Sequence, residues 1–195
     1  MKKLILTLTL VAASTAAMYG QGRVFFNNLV SGNAITIGIP AADGQGAVGG
    51  YVGEDYSVQL LWASGTYADL SSFLAASPSA SAVFSFYGTT GVGGPLIDGA
   101  GLFDAGTVQM NGPAGTYTML VRAWYNGGQY ETYQAAFGVA NTGHSELFTV
   151  AVTASPTGPA NTMFDSFTVA VVPEPSVIAL AGLGTVAMLV VRRRK

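Results

Sequence analysis

Residues 56–63 read YSVQLLWA, and their character alternates along the segment. Every second residue from Tyr56 to Trp62 is large and apolar, whereas Ser57 and Gln59 between them are polar. Successive side chains of a β-strand point to opposite faces, so this alternation predicts a strand with one buried face. Residues 115–125 predict a second and longer strand. The two segments together indicate that β-sheet is the main structure of the chain.

The rest of residues 21–172 repeats short apolar segments separated by glycine-rich turns, without a helical period over most of its length. This spacing predicts about nine strands in all. The other strands are predicted at 23–28, 34–39, 82–87, 107–110, 130–137, 146–153 and 164–172. Turns at 111–113 and 126–128 are expected to close hairpins. One short helix is predicted over 67–76, because proline follows it at residue 78.

The length and composition fit one globular domain. The chain has 195 residues, of which 50% are hydrophobic and only 9% charged. A domain of this size can bury a core without disulfides, and the chain has no cysteine. The expected fold class is therefore all-β, as a single antiparallel β-sandwich of jelly-roll or immunoglobulin-like type, over residues 21–170.

The charge balance excludes several functions. The net charge is −2 and there is one histidine, which argues against a nucleic-acid partner and against a histidine-built metal site. The absence of cysteine excludes thiol catalysis. No cofactor is expected. Nine of the ten acids lie between residues 22 and 172 with only two cations, whereas both ends of the chain are basic.

The first twenty residues are organised like a secretory signal peptide. Lys2 and Lys3 precede an apolar run at 4–13, and small residues follow at 14–17. This order of charge, apolar helix and small residues is what a signal peptidase recognises. Cleavage is expected after Ala17, with Gly20 as the second choice, so that residues 1–20 form the signal segment.

The last part of the chain predicts a membrane segment. Pro173-Glu174-Pro175 is followed by an uncharged apolar run at 177–191 and then by Arg192, Arg193, Arg194 and Lys195. A helix of this run spans roughly 22 Å, and the arginines can snorkel to close the gap to a bilayer core of about 30 Å. The basic residues at 192–195 favour retention of the C-terminal tail on the cytoplasmic side of the membrane.

This combination resembles the PEP-CTERM sorting signal of Gram-negative bacteria. The resemblance covers 173–195 and implies that the chain is a substrate of an exosortase, a membrane transpeptidase that cuts near the tripeptide. It implies that Pro173, Glu174 and Pro175 are recognised, and that the helix and the basic tail hold the precursor in the membrane. The expected domains are a signal peptide at 1–20, the body at 21–170 and the sorting signal at 171–195.

The resemblance implies an exported, non-catalytic protein whose body faces the periplasm and is then displayed at the cell surface or in the extracellular matrix. One alternative is a carbohydrate-binding module or adhesin in an exopolysaccharide matrix, because aromatic side chains stack on sugars. The aromatic residues considered for this are Tyr51, Tyr56, Trp62, Tyr67, Trp124, Tyr125, Tyr130 and Tyr133. A core position is the simpler expectation for most of them.

A second alternative is a polysaccharide hydrolase, which needs two carboxyl groups held close together. The candidates are Glu131, Glu146, Asp98 and Asp104, although nine scattered acids are more simply explained as solvated surface groups. Across the hairpin predicted at 126–128, Arg122 is expected to pair with Glu131.

Two further sites receive little support. His144 and Ser145 are adjacent, but no Gly-x-Ser-x-Gly turn surrounds the serine as in a hydrolase nucleophile elbow. Asp43, Glu54 and Asp55 lie in glycine-rich loops where calcium could bind through oxygen ligands, yet the spacing matches no known calcium loop. No metal or catalytic residue is therefore assigned from the sequence.

Overall fold

The computed structural model describes residues 21–29, 31–39, 42, 44–86, 101–153 and 158–172. These residues form eleven strands and two short helices, which confirms the all-β class. In chain order they are β1 (Gln21–Asn27), β2 (Thr36–Ile37), β3 (Tyr56–Ser64), α1 (Leu70–Ala75), β4 (Ser79–Ala80), β5 (Phe84–Ser85), β6 (Asp104–Pro113), β7 (Gly115–Tyr125), α2 (Tyr133–Ala136), β8 (Asn141–His144), β9 (Phe148–Val152), β10 (Ala160–Asn161) and β11 (Thr168–Val171).

The strands form two sheets. The smaller sheet has the order β10-β1-β6, and the larger has the order β2-β11-β8-β7-β3-β4, with β5 on β3 and β9 on β7. The pairs β1–β10 and β2–β11 are parallel, so the prediction of a purely antiparallel fold is wrong for them. Both pairs join strands that are distant in the sequence, as parallel pairing requires a long connection.

The central pair of the larger sheet is β3–β7, and the alternating apolar residues of both strands share one core face. Tyr56 lies opposite Tyr125, and Ser64 lies opposite Tyr117. The face of these strands that carries Leu60 and Val121 packs into one core, to which the smaller sheet contributes Phe26. Other members of this core include Val24, Val58, Trp62, Val108, Met110, Met119, Val150 and Val152.

The opposite face of β3 and β7 is covered as well. Leu61 and Leu120 lie opposite each other and pack with Phe73 of α1 in a second cluster. Trp124 packs with Ala136 and Ala140 in a third, at the position of α2. Because both faces are covered, β3 is buried from Tyr56 to Trp62 rather than at every second residue.

The helix predicted over 67–76 is confirmed as α1. Its first residues are capped by Asp69, whose Oδ1 accepts the backbone N–H of Ser72 at 2.8 Å. Hydrogen bonds from Ser71 and Ser72 hold the pKa of the Asp69 carboxyl below its usual value. Ser77 takes a positive φ of 53° after the helix, which ends it ahead of Pro78.

Both predicted hairpins are wrong. Residues 107–110 do not pair with 115–125, because β6 continues to Pro113 on β1 and the chain changes sheets before β7. The segment 130–137, predicted as a strand, contains α2 instead. Thr132 caps this helix, since its Oγ1 accepts the N–H of Ala135 at 3.2 Å.

The two ends of the chain lie outside the described residues. The expected signal helix at 1–20 and the expected transmembrane helix at 177–191 both fall there, and the boundary of the body at 170 stays a prediction. Within the described ranges, neither helix is long and apolar enough to cross a membrane. The last described strand, β11, ends at Val171, two residues before Pro173.

Candidate functional site

A polar row crosses the outer face of the larger sheet. Gln59 of β3 lies opposite Arg122 of β7, and Arg122 lies opposite His144 of β8. Opposed residues on neighbouring strands have their side chains on the same face, so these three groups are neighbours. This is the face that α1 and α2 cover only in part.

Arg122 is fixed in place at the centre of this row. Its Nε and Nη2 both donate to Oε1 of Gln59, at 3.1 and 2.6 Å. The guanidinium carbon lies 5.1 Å from the centre of the Tyr133 ring, at cation–π distance. Burial lowers the pKa of Arg122, but a guanidinium remains charged at neutral pH.

The ion pair predicted between Arg122 and Glu131 is not formed. Glu131 is exposed one residue before the N-cap of α2, because the segment does not return along β7 as a strand. Within the described residues, no carboxylate pairs with Arg122, and its Nη1 makes no hydrogen bond. One edge of the guanidinium therefore has unused donors.

Arg122, Tyr133 and His144 line a cavity of about 640 Å³, which we call the α1–α2 groove. Its lining comes from both helices and from β3, β7, β8 and β11. The lining residues are Leu61, Leu70, Leu74, Leu120, Arg122, Tyr133, Gln134, Phe137, Thr142, Gly143, His144, Thr168, Ala170 and Val172. Three of them are large apolar residues with substantial exposure, namely Leu74 at 49%, Phe137 at 37% and Val172 at 43%.

The Thr142 hydroxyl is a second polar group on this lining, and its side chain is only 2% exposed. Burial raises the pKa of the neighbouring Tyr133 phenol, and Thr142 lowers it by a smaller amount. The Thr142 hydroxyl makes no hydrogen bond of ordinary geometry to this phenol. Thr142 Oγ1 thus has no hydrogen-bond partner in the part of the chain that the structure describes.

The structure separates the carboxylates considered for glycoside hydrolysis. Glu146 lines a cavity of about 210 Å³ beside α1, together with Asp69 and His144. Asp104 is exposed at the start of β6 and accepts the N–H of Gly106 at 2.8 Å. Asp98 lies outside the described residues. Glu146, Asp104 and the exposed Glu131 therefore lie on different elements of the described structure.

Ser145 has a structural role at the edge of β8. Its Oγ accepts the N–H of Val121 at 3.0 Å and donates to the carbonyl of Glu146 at 2.8 Å, and the residue is 1% exposed. The imidazole Nδ1 of His144 lies 2.9 Å from the carbonyl of Ser145, so this nitrogen carries the proton and donates. His144 therefore does not act as a base on the Ser145 hydroxyl in this geometry.

The calcium candidates are not assembled into a site. Glu54 and Asp55 are exposed in a turn before β3, and Asp43 lies outside the described residues. No cluster of three or more metal-binding side chains occurs in the described ranges. The neighbouring loop is held by protein groups, since Tyr56 donates its hydroxyl to the carbonyl of Gln45 at 2.5 Å.

Three of the eight aromatic residues considered for sugar binding are buried in the core, and four more are partly buried. Tyr56, Trp62 and Trp124 are at most 4% exposed. Of the eight, Tyr51 alone is in the exposed class, at 55%. Buried rings cannot stack on a polysaccharide, so Tyr56, Trp62 and Trp124 are unavailable for this role.

Sequence reasoning did not find the α1–α2 groove. One local signal was available, because Leu70 and Leu74 are four residues apart in α1 and so share a face of that helix. The rest of the lining comes mainly from strands that are distant in the sequence and pair in the fold. No local sequence pattern predicts this pairing. The polar row Gln59–Arg122–His144 depends on register, which the individual strands do not reveal.

Comparison with known proteins identifies the C-terminal segment. Residues 171–195 match the family model of the PEP-CTERM protein-sorting motif. No curated protein and no solved structure shows significant similarity to the chain. The match includes Pro173, Glu174, Pro175 and the basic residues 192–195, all of which lie outside the described residues. The chain therefore carries a PEP-CTERM sorting domain, as its C-terminal residues predict, and this domain begins at the last residue of β11.

Proposed function

We propose that the protein is exported, anchored for a time by its C-terminal segment, and handed to an exosortase-type transpeptidase that sorts the β-rich body to the cell surface or extracellular matrix. The observation that carries this proposal is the match of residues 171–195 to the PEP-CTERM motif. The motif follows β11 without a long linker, so the body would be complete when the motif is recognised.

The charge distribution supports this route. The body is acidic, whereas Lys2, Lys3 and residues 192–195 are basic. Basic flanks favour the cytoplasmic side of a membrane, so both apolar ends would leave the body on the periplasmic side. A signal peptidase would act near Ala17, and the exosortase near Pro173 to Pro175.

The body itself is proposed to be non-catalytic and to function by display, as a β-sandwich-type carrier. Two sheets share one hydrophobic core, which suits a stable body exposed outside the cell. The separated carboxylates and the structural bonds of Ser145 support this interpretation. An exopolysaccharide matrix is the proposed surrounding medium.

The C-terminal peptide mass of protein recovered from the cell surface or medium tests the proposal. We expect a C-terminus near Pro173 to Ser176, without Arg192 to Lys195. Glu174→Ala should lower the processed fraction about tenfold, because it removes one charged contact with the enzyme. Glu146→Ala, at an exposed acid of the body, is the matched control and should be processed normally.

An intact C-terminus in the membrane fraction would contradict this proposal. The apolar run at 177–191 would then be a permanent anchor, and the motif would not be cut. Equal processing of the Glu174→Ala and Glu146→Ala variants would instead show that the carboxylate of the tripeptide is not recognised.

A further inference from the structure

We propose that the α1–α2 groove binds a free fatty acid, with the carboxylate on Arg122 and the alkyl chain along the apolar walls. This inference goes beyond sorting, because it concerns the body alone and does not depend on cleavage of the C-terminal segment. It rests on two features of the groove: a fixed cation with unused donors and an exposed apolar lining.

The Arg122 guanidinium is positioned to bind one carboxylate. Gln59 holds Nε and Nη2 of Arg122, and the ring of Tyr133 supports the guanidinium from the side. Nη1 is left without a hydrogen-bond partner among the described residues. An arginine fixed in this way loses little freedom when it binds an anion, and its planar fork fits a carboxylate.

The apolar lining of the groove favours an anion that carries an aliphatic chain. Leu61 and Leu120 form an apolar floor, while Leu74 and Phe137 extend from the two helices beside it. Val172 adds the edge beyond β11. Large exposed apolar side chains are unfavourable in water, and here three of them converge on a single groove. Covering them with an alkyl chain removes this apolar area from water.

The size and polarity of the groove favour a small amphipathic ligand over a sugar. A volume of about 640 Å³ lies in the range of small-molecule sites, which are mostly apolar with few polar groups. A sugar would need many hydroxyl partners, whereas the surface of this groove is mainly apolar and its polar residues are Arg122, Tyr133, Gln134, Thr142, His144 and Thr168.

Photolabelling tests this site. The full chain is placed in lipid nanodiscs and exposed to dodecanoic acid bearing a diazirine on its alkyl chain, and labelled peptides are identified by mass spectrometry. We expect labels in the peptides that contain Leu74, Phe137 or Val172. Arg122→Gln should reduce this labelling about tenfold, as the loss of hydrogen bonds to a charged partner predicts. The methyl ester of the same probe should label as weakly as this variant.

Two further variants separate binding from folding. Leu74→Asp changes an exposed rim residue and adds a negative charge, so it should reduce labelling by the acid without unfolding the body. Met163→Ser removes an apolar residue of 63% exposure that does not line the groove, and it should leave labelling unchanged. Urea denaturation of each variant checks that the fold is retained.

Equal labelling by the acid and the methyl ester, or full labelling of the Arg122→Gln variant, would overturn the proposal. The groove would then belong to an uncharged apolar partner, such as the chain's own segment 177–191. Labelling confined to peptides outside the groove would overturn it as well, because the probe would have entered only the surrounding lipid.

Discussion

Replacing Asn28 with aspartate is expected to lower the free energy of unfolding by about 3 kcal/mol or more at pH 7. Asn28 is fully buried, and its amide nitrogen donates to the carbonyls of Asn33 and Gly101, both at 2.9 Å. Its Oδ1 accepts the N–H of Phe103 at 2.7 Å. An aspartate would direct a carboxylate oxygen at two carbonyl oxygens, which cannot donate.

The pH dependence identifies the cause of this loss. A buried aspartate that faces carbonyls has a raised pKa in the folded state, so its neutral form is favoured there. The variant should therefore be least destabilised below about pH 4, and the deficit should grow as the pH rises above that value. Urea denaturation of the purified variant and the parent at both pH values measures the difference.

Asn111→Asp is the control, since Asn111 is exposed on β6 and the same chemical change should have little effect there. If the Asn28→Asp variant were as stable as the parent at pH 7, the hydrogen bonds of the Asn28 amide to Asn33 and to the segment 101–103 would not contribute to stability. A deficit of equal size at pH 4 and pH 7 would point to a packing defect rather than to a buried charge.

Asn28 also shows where prediction from the sequence ends. Its position at the end of β1 was predictable, because asparagine is common where strands turn. Its importance was not, because two of its partners lie 73 and 75 residues away. A local sequence pattern indicates which residues lie at the end of a strand, but it does not indicate which distant backbone groups those residues contact.

The strands with clear alternation were the most predictable part of the fold. In β3 and β7 the apolar positions recur every two residues and the structure keeps them on one core face. By contrast, residues 130–137 contain enough aromatic residues to suggest a strand, yet the cap from Thr132 and the packing of Tyr133 on Trp124 favour a helical turn. Tertiary contacts therefore determine the secondary structure of residues 130–137.

The two functional regions differ in the same way. The PEP-CTERM motif is a linear signal, so tripeptide, apolar run and basic tail could be recognised in order and the family comparison confirms them. The α1–α2 groove is assembled from six elements and the residue after β11, and its central arginine was expected to have a different partner. A site that depends on register and sheet order cannot be read from spacing alone.

A large loss of stability is also expected on replacing Trp124 with alanine, by about 3–5 kcal/mol. The indole is fully buried, packs with Ala136 and Ala140, and contacts the Tyr133 ring edge-on at 6.2 Å. Its Nε1 donates to the carbonyl of Tyr130 at 2.9 Å. Alanine would remove both the ring that supports α2 and this hydrogen bond, and leave a cavity under the helix.

Trp124→Phe separates these two contributions, because it keeps a ring in the cluster and removes only the N–H donor. Its cost should be about 1–2 kcal/mol. Urea denaturation followed by circular dichroism measures both variants, with the buried Trp62 as a fluorescent reporter of the main core. A Trp124→Ala variant within about 1 kcal/mol of the parent would show that the helix does not depend on this ring.

The same pair of variants links the stability of α2 to the groove. Tyr133 and Phe137 form one wall, and their position follows from the seating of α2 on Trp124. Amide exchange at 133–137 should therefore accelerate in Trp124→Ala while the β3–β7 pair stays protected, and labelling by the photoreactive fatty acid should fall. Trp124→Phe should keep both properties close to the parent. Slow exchange at 133–137 in Trp124→Ala together with unchanged labelling would show that the wall is held by other contacts, such as the Thr132 cap and the Arg122–Tyr133 interaction.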